Sequence, residues 1–360
     1  MKPLFFLALS FVIFTSCSSD NAAPSTPITP EETMYFPPNG SSTWDNKTLE
    51  SLNWHPTAVQ PLLDYLTLKH SKSFMILVNG RIVMEYYFNG HSATTNWYWA
   101  SAGKTLTSTV TGIAQQENYL NINNKVSDYI GTGWTSEPLV KENLITNKHL
   151  LTMTSGLNDA LGDDVAAANL QYTADAGTRW AYHNVYVKLQ DVIAAAVPST
   201  YGGFSGYFNA KLRDKIGMDG FWSQSGFNSV YSSTTRSMAR FGLFILNKGK
   251  WNSEQILNEN YFAEATTTSQ SINQSYGYLW WLNGKSSYHL PQSQLQFPGS
   301  IIPSGANDMF MALGKNDQKI YVIPSKKMVV IRMGDAADNS NLALSDFDDV
   351  LWQKINALYQ

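Results

Sequence analysis

The chain has 360 residues, 43% of them hydrophobic, and a formal net charge of −3 at neutral pH. That length and apolar content are enough for one large domain, or two smaller ones, with a sizeable core. The near-balanced charge leaves no footprint for nucleic acid or for a broad anion-binding surface.

Met1-Lys2 leads into an apolar run from Leu4 to Phe14, followed by Thr15-Ser16-Cys17. A basic start, a short apolar stretch and small residues form the pattern of a secretory signal. The run is too short for a permanent span, which needs about 20 residues. Cys17 is the one cysteine in the sequence, so neither an internal disulfide nor a thiolate metal cluster is expected. Phe14-Thr15-Ser16-Cys17 resembles a bacterial lipoprotein signal, in which the cysteine becomes the lipidated first residue. This implies a signal over 1–17, export, and a lipid anchor at a bacterial cell-envelope membrane. Residues 18–43 are polar and hold Pro24, Pro27, Pro30, Pro37 and Pro38. They read as a flexible tether, with the folded domain over 44–360.

Between Ser51 and Lys69, Leu and Val recur at helical spacing. Phe74-Met75-Ile76-Leu77-Val78 and the run from Arg81 to Phe88 flank Asn79-Gly80. That is a hairpin signal, because both turn residues accept positive φ. Lys319 to Ile323 and Met328 to Arg332 predict a second hairpin through Pro324-Ser325-Lys326-Lys327, followed by a closing helix from about Leu344 to Leu358. The chain between the hairpins reads mostly as helix and loop. Strands from both ends around a helical insertion predict a mixed α/β fold of the α+β type. It has one antiparallel sheet built from both chain ends, flanked by helices, and a mostly helical subdomain.

The chemistry centres on Trp99-Ala100-Ser101-Ala102-Gly103-Lys104. An amphipathic stretch, Leu106 to Gln116, puts Ser101 at a helix start with Lys104 on the same face. The amine can take the hydroxyl proton only if it is neutral, so its pKa must fall from about 10.4 through burial or nearby cations. The helix N-terminus adds a backbone N–H and positive potential where an oxyanion would form. Alone, Ser-x-x-Lys also fits a helix cap beside a solvated lysine. Trp180-Ala181-Tyr182-His183-Asn184 adds a phenol that can relay protons and an amide that can hold a carbonyl or the lysine. Tyr182 also fits a half-buried tyrosine at a helix start. His55, His70, His91, His149, His183 and His289 show no metal-ligand spacing, and Asp163-Asp164 reads as solvent-facing. With no Gly-x-Ser-x-Gly elbow an α/β-hydrolase is unsupported, and with no metal-ligand spacing and no phosphate-cradling glycine loop neither a metal nor a cofactor is expected.

Further motifs follow in order: His149-Leu150-Leu151-Thr152-Met153-Thr154-Ser155-Gly156-Leu157, Ala176-Gly177 through Tyr182-His183-Asn184, Leu212 to Met218, Ser233 to Gly242, and Tyr276-Gly277-Tyr278-Leu279-Trp280-Trp281. With the Ser101 helix they resemble, from about Phe74 to Gly334, the β-lactamase-related serine hydrolase family. That family spans class C β-lactamases, penicillin-binding-protein-like peptidases, esterases and 6-aminohexanoate-dimer hydrolases. β-Lactamases carry Lys-Thr-Gly or His-Thr-Gly on the strand edging the site. The matching place here, near Met311-Ala312-Leu313, has neither cation nor hydroxyl. Phe310 to Gln318 instead resembles the Phe-x-Ala-x-Gly-x-x-Gly-Gln of the esterase and amide-hydrolase branch, with Asp317 at a usual glycine. Lys315 reads as a solvated loop lysine.

The resemblance implies an acyl-enzyme on Ser101, with Lys104 and Tyr182 sharing proton transfer and the base at each step left open. It implies Asn184 as a substrate-orienting residue and a second oxyanion amide at Leu313 or Gly314. Met311, Ala312 and Leu313 are expected to form an apolar lip. The substrate is then a small-molecule ester or amide, with a penicillin-type β-lactam less suited. Two other readings use the same sequence: a membrane-tethered β-lactam or peptidoglycan sensor, and a structural lipoprotein that kept the fold without activity.

Overall fold

The computed structural model describes residues 32–338 and 346–360. The signal sequence, Cys17 and tether residues 18–31 lie outside the described residues. The folded unit begins at Met34, ahead of the expected boundary at 44. The Tyr35 amide donates to the Asn79 carbonyl at 3.1 Å, and the Arg240 guanidinium donates to the Pro37 and Pro38 carbonyls at 3.1 and 2.7 Å. Side chains join in, with Phe36 against Trp251 at 5.0 Å and Arg81 over the Tyr35 ring at 5.3 Å; the strap reads as linker in the sequence because these few contacts sit among prolines and polar residues without a periodic pattern.

In chain order the main strands are β1 (Ser71–Val78), β2 (Arg81–Tyr87), β3 (Trp97–Tyr98), β4 (Phe221–Ser225), β5 (Asn228–Ser233), β6 (Trp281–Leu282), β7 (Phe310–Gly314), β8 (Gln318–Ile323) and β9 (Met328–Gly334). The longer helices are α1 (Val59–Leu68), α2 (Lys104–Gln116), α3 (Lys188–Ala196), α4 (Thr235–Leu246) and α5 (Asp346–Asn356). Six strands form one antiparallel sheet in the order β2-β1-β9-β8-β7-β6. Both expected hairpins are present. Asn79 and Gly80 turn the first with φ of 50° and 81°, and a helical turn, Pro324–Lys326, makes the second. The helix expected over 51–69 is interrupted. Short turns at Glu50–Leu52 and Pro56–Ala58 precede α1, because Asn53 is left-handed and Pro56 can only open a helix.

Side chains alternate across the sheet, so each strand serves both faces. On one face Tyr65 of α1 stacks on Phe347 of α5 at 5.7 Å, and Tyr321 meets Trp352 edge-on at 5.4 Å. On the other face α4 comes so close that a Cβ at Gly242 would lie 2.5 Å from Val329. Helix α2 is buried from Lys104 to Ala114, not one-sided as its sequence suggests. Its hydroxyls tolerate this because Thr105, Thr109 and Thr111 each donate to a carbonyl three or four residues back, at 2.8–2.9 Å. The middle of the chain also holds an unforeseen three-stranded sheet, β3-β5-β4. Strand β5 buries Ser229, Tyr231 and Ser233 on one face, a set with no apolar alternation for the sequence to show.

Candidate active site

Ser101 sits in the 3-10 turn Ala100–Gly103, which runs directly into α2 at Lys104. Trp99 roots this turn in the core. Its amide donates to the Tyr231 carbonyl at 2.8 Å and its indole to the Ser233 hydroxyl at 2.8 Å. Ala100 is left-handed, with φ of 47°, a conformation costing about 1–2 kcal/mol for a residue with a Cβ. The surrounding contacts hold that strain next to Ser101.

The Lys104 ammonium nitrogen, Nζ, lies 2.8 Å from Ser101 Oγ. It also lies 4.9 and 4.3 Å from the ring centres of Tyr182 and Tyr186. Lys104 is 5% exposed, and among the described residues no carboxylate forms an ion pair with it. Burial pulls its pKa down to about 7, while the field of Asp163 pushes weakly upward. Burial holds the pKa of the Tyr182 phenol well above the ordinary tyrosine range, with the Ser101 and Trp281 side chains pulling more weakly the other way. The Tyr182 ring stacks on Trp281 at 5.5 Å. Near neutral pH the site therefore pairs an amine that is about half in its free form with an intact phenol, two groups fit to accept and to donate a proton.

Asn184 is buried, and its two amide protons go to the Asp163 and Phe227 carbonyls at 3.1 and 3.2 Å. These bonds let Asn184, the expected substrate-orienting residue, pin two loops beside Tyr182. His183 adds a 3.2 Å contact to the Gly162 carbonyl. Leu161 and Phe227, on these loops, are exposed.

Strand β7 corrects the expected lip. Met311, Ala312 and Leu313 are at most 1% exposed, so their side chains belong to the core. A strand's sequence does not reveal which of its faces is covered. What the edge offers is backbone. The Asn283 amide donates to the Met309 carbonyl at 2.9 Å, so alternate residues Met309, Met311 and Leu313 turn their peptide groups toward β6. Pairing with β6 ends at Met311↔Trp281, which leaves the Leu313 peptide facing the open edge. Gly314 instead pairs toward β8, opposite Gln318. The Ser101 turn packs on Gly314, where a Cβ would stand 2.4 Å from the Trp99 carbonyl oxygen and 3.0 Å from the Ala102 nitrogen. Of the two expected amide donors, Leu313 has the right direction, while Gly314 provides the clearance.

Sequence reasoning gave no role to Trp281, Tyr186 or Asp163. Tyr186 lies in the 3-10 turn Asn184–Val187, and Tyr182 precedes that turn, so no helical spacing marked it. Asp163 looks like a loop carboxylate, and only the Asn184 contact brings it to the site.

A family model described as Beta-lactamase matches residues 69–341. An uncharacterized protein of Alkalihalophilus pseudofirmus is 24% identical over 296 residues, covering 72% of this chain and 82% of that protein. A candidate 6-aminohexanoate-dimer hydrolase from Bacillus anthracis superposes with a TM-score of 0.67 at 20% identity, covering 89% of each chain. EstCE1, a hydrolase with promiscuous acyltransferase activity, superposes with a TM-score of 0.61 at 12% identity, covering 84% of this chain and 96% of that one. At these identities the structural likeness concerns the fold.

Proposed function

The chain belongs to the Beta-lactamase family, and from that premise we propose that it is an exported serine hydrolase cleaving an ester or small amide through an acyl-enzyme on Ser101. The observation that carries this reading is the buried, unpaired Lys104 amine 2.8 Å from the Ser101 hydroxyl.

Neutral Lys104 removes the Ser101 proton as Oγ attacks the substrate carbonyl carbon. The amides of Ser101 and Leu313 hold the resulting oxyanion. Tyr182 gives its proton to the departing alkoxide or amine and regains one from the Lys104 ammonium. Water then attacks the Ser101 ester by the same route, releasing the acid and restoring the hydroxyl.

Two features support an uncharged substrate over a β-lactam carboxylate. Strand β7 brings backbone, not cations or hydroxyls, to the open edge. The charged neighbour acting on both Lys104 and Tyr182 is the carboxylate of Asp163. A carboxylate buried without a partner is costly, so a site built for one needs positive and donor groups.

A fluorophosphonate probe tests the reading directly. It is expected to add one adduct at Ser101 in the purified domain, to leave folded Ser101→Ala unmodified, and to block p-nitrophenyl butyrate hydrolysis. Full hydrolysis by folded Ser101→Ala would overturn the assignment.

A further inference from the structure

We propose that the buried Asp317–Lys319 pair is a positioning device, fixing the turn that ends β7 so that the Leu313 amide stands beside Ser101. The inference rests on the reading of Ser101 and Leu313 given above. Asn316 and Asp317 are successive left-handed residues, with φ of 60° and 58°, and neither is glycine. A backbone of this kind persists only where its surroundings dictate it.

The surroundings here are specific. One Asp317 carboxylate oxygen lies 3.1 Å from Lys319 Nζ, and the other accepts the Ala337 amide at 3.0 Å. Lys319 also meets Asp348 of α5 at 2.8 Å, and Asp348 in turn accepts the Tyr321 hydroxyl. Arg332 donates to the Asn316 and Asp317 carbonyls at 2.9 and 3.1 Å, and Gln318 to the Asn316 carbonyl at 2.9 Å. Lys319, Asp317 and Asp348 are all at most 2% exposed. Such pairs are poor stabilisers, since apolar residues of similar volume often serve as well or better, and their best-attested use is to fix register. Register is at issue here. Lys319 stands directly across the ladder from Leu313, and Gln318 across from Gly314. The turn they close packs on Ala100–Gly103, which carries Ser101. A donor misplaced by a fraction of an ångström loses much of its hold on an oxyanion.

Asp317→Gly separates this idea from the plainer one that the turn needs only left-handed freedom. Glycine supplies that freedom, and Lys319 keeps Asp348, so no buried cation is stranded. If the carboxylate positions the strand, kcat for p-nitrophenyl butyrate falls about tenfold, with KM changed less than about twofold. The carbonyl stretch of the acyl-enzyme also shifts to higher frequency, as a weakened oxyanion site requires. Asp317→Asn, which keeps the side-chain volume and an acceptor for Ala337, carries the same test if the glycine variant does not fold, and its kcat and carbonyl frequency move the same way. Wild-type kcat and carbonyl frequency in the folded variants overturn the inference. Wild-type protein that forms no Ser101 acyl-enzyme overturns the reading of the site together with it.

Discussion

Lys104 should set the pH dependence. Because burial brings its pKa to about 7, the free-amine fraction grows through neutrality, and kcat/KM is expected to rise with pH and level off above a midpoint near 7. Asp163→Asn removes the upward push and should move that midpoint down. A profile flat between about pH 5 and 9 would exclude Lys104 as the base. The same burial has a stability consequence whose sign can be worked out. The folded pKa lies below the unfolded 10.5, so the unfolded chain binds more protons in between. The destabilisation is full below about 7 and fades as pH rises toward 10.5. Lys104→Met should therefore abolish hydrolysis while raising stability by a few kcal/mol, on the order set by the shift. Thermal unfolding should show the gain at pH 6.5 and little of it at pH 10.

Strand β7 and the turn before α2 meet at Gly314, and their contact is a matter of elements. Gly314→Ala places a methyl 2.4 Å from the Trp99 carbonyl oxygen, so either the strand or the turn must move. We expect a loss of kcat of about tenfold or more, and near-normal activity in the variant would show that the contact is not needed. The hairpins and the Ser101 turn were legible in the sequence because their signals are local: Asn79-Gly80 between apolar runs, and serine and lysine three apart. The loop-pinning bonds of Asn184 were not legible because its partners, Asp163 and Phe227, lie 21 and 43 residues away. The lip at Met311 to Leu313 was misread because apolar letters on a strand do not say which face is covered, and here all three side chains are buried. The chemical expectation drawn from that strand survives the correction, since the edge still lacks a cation. Short p-nitrophenyl esters should exceed nitrocefin in kcat/KM by at least about tenfold, the equivalent of about 1.4 kcal/mol. Equal turnover of nitrocefin would show that a cation from another loop serves the site.

For the whole molecule, the question is where the working unit begins and what holds it at a surface. Residues up to 31 lie outside the described structure, and the anchor remains our proposal from the signal pattern ending in Cys17. Buried acyl chains contribute about 0.8 kcal/mol per methylene, and stable anchoring needs two such signals. Cys17→Ser should accordingly move the protein from the membrane to the soluble envelope fraction, and unchanged fractionation would remove the anchor from the account. The start of the working unit can be tested independently. Arg240 is 4% exposed and lies among backbone carbonyls, with Pro37 and Pro38 supplied by the strap and Ile216 by the body at 3.0 Å. Its guanidinium also faces the rings of Trp44 and Trp251 at 5.4 and 5.7 Å. Burial lowers its pKa to about 10, so it stays charged at neutral pH. A chain starting at Met34 keeps every strap acceptor and should match the full chain in kcat and Tm. A chain starting at Trp44 leaves a buried cation short of acceptors and should lose about 2–5 kcal/mol. Its active-site residues are intact, so kcat at low temperature should persist while Tm falls. Equal Tm for the two truncations would mean that the strap rests on the domain without supporting it.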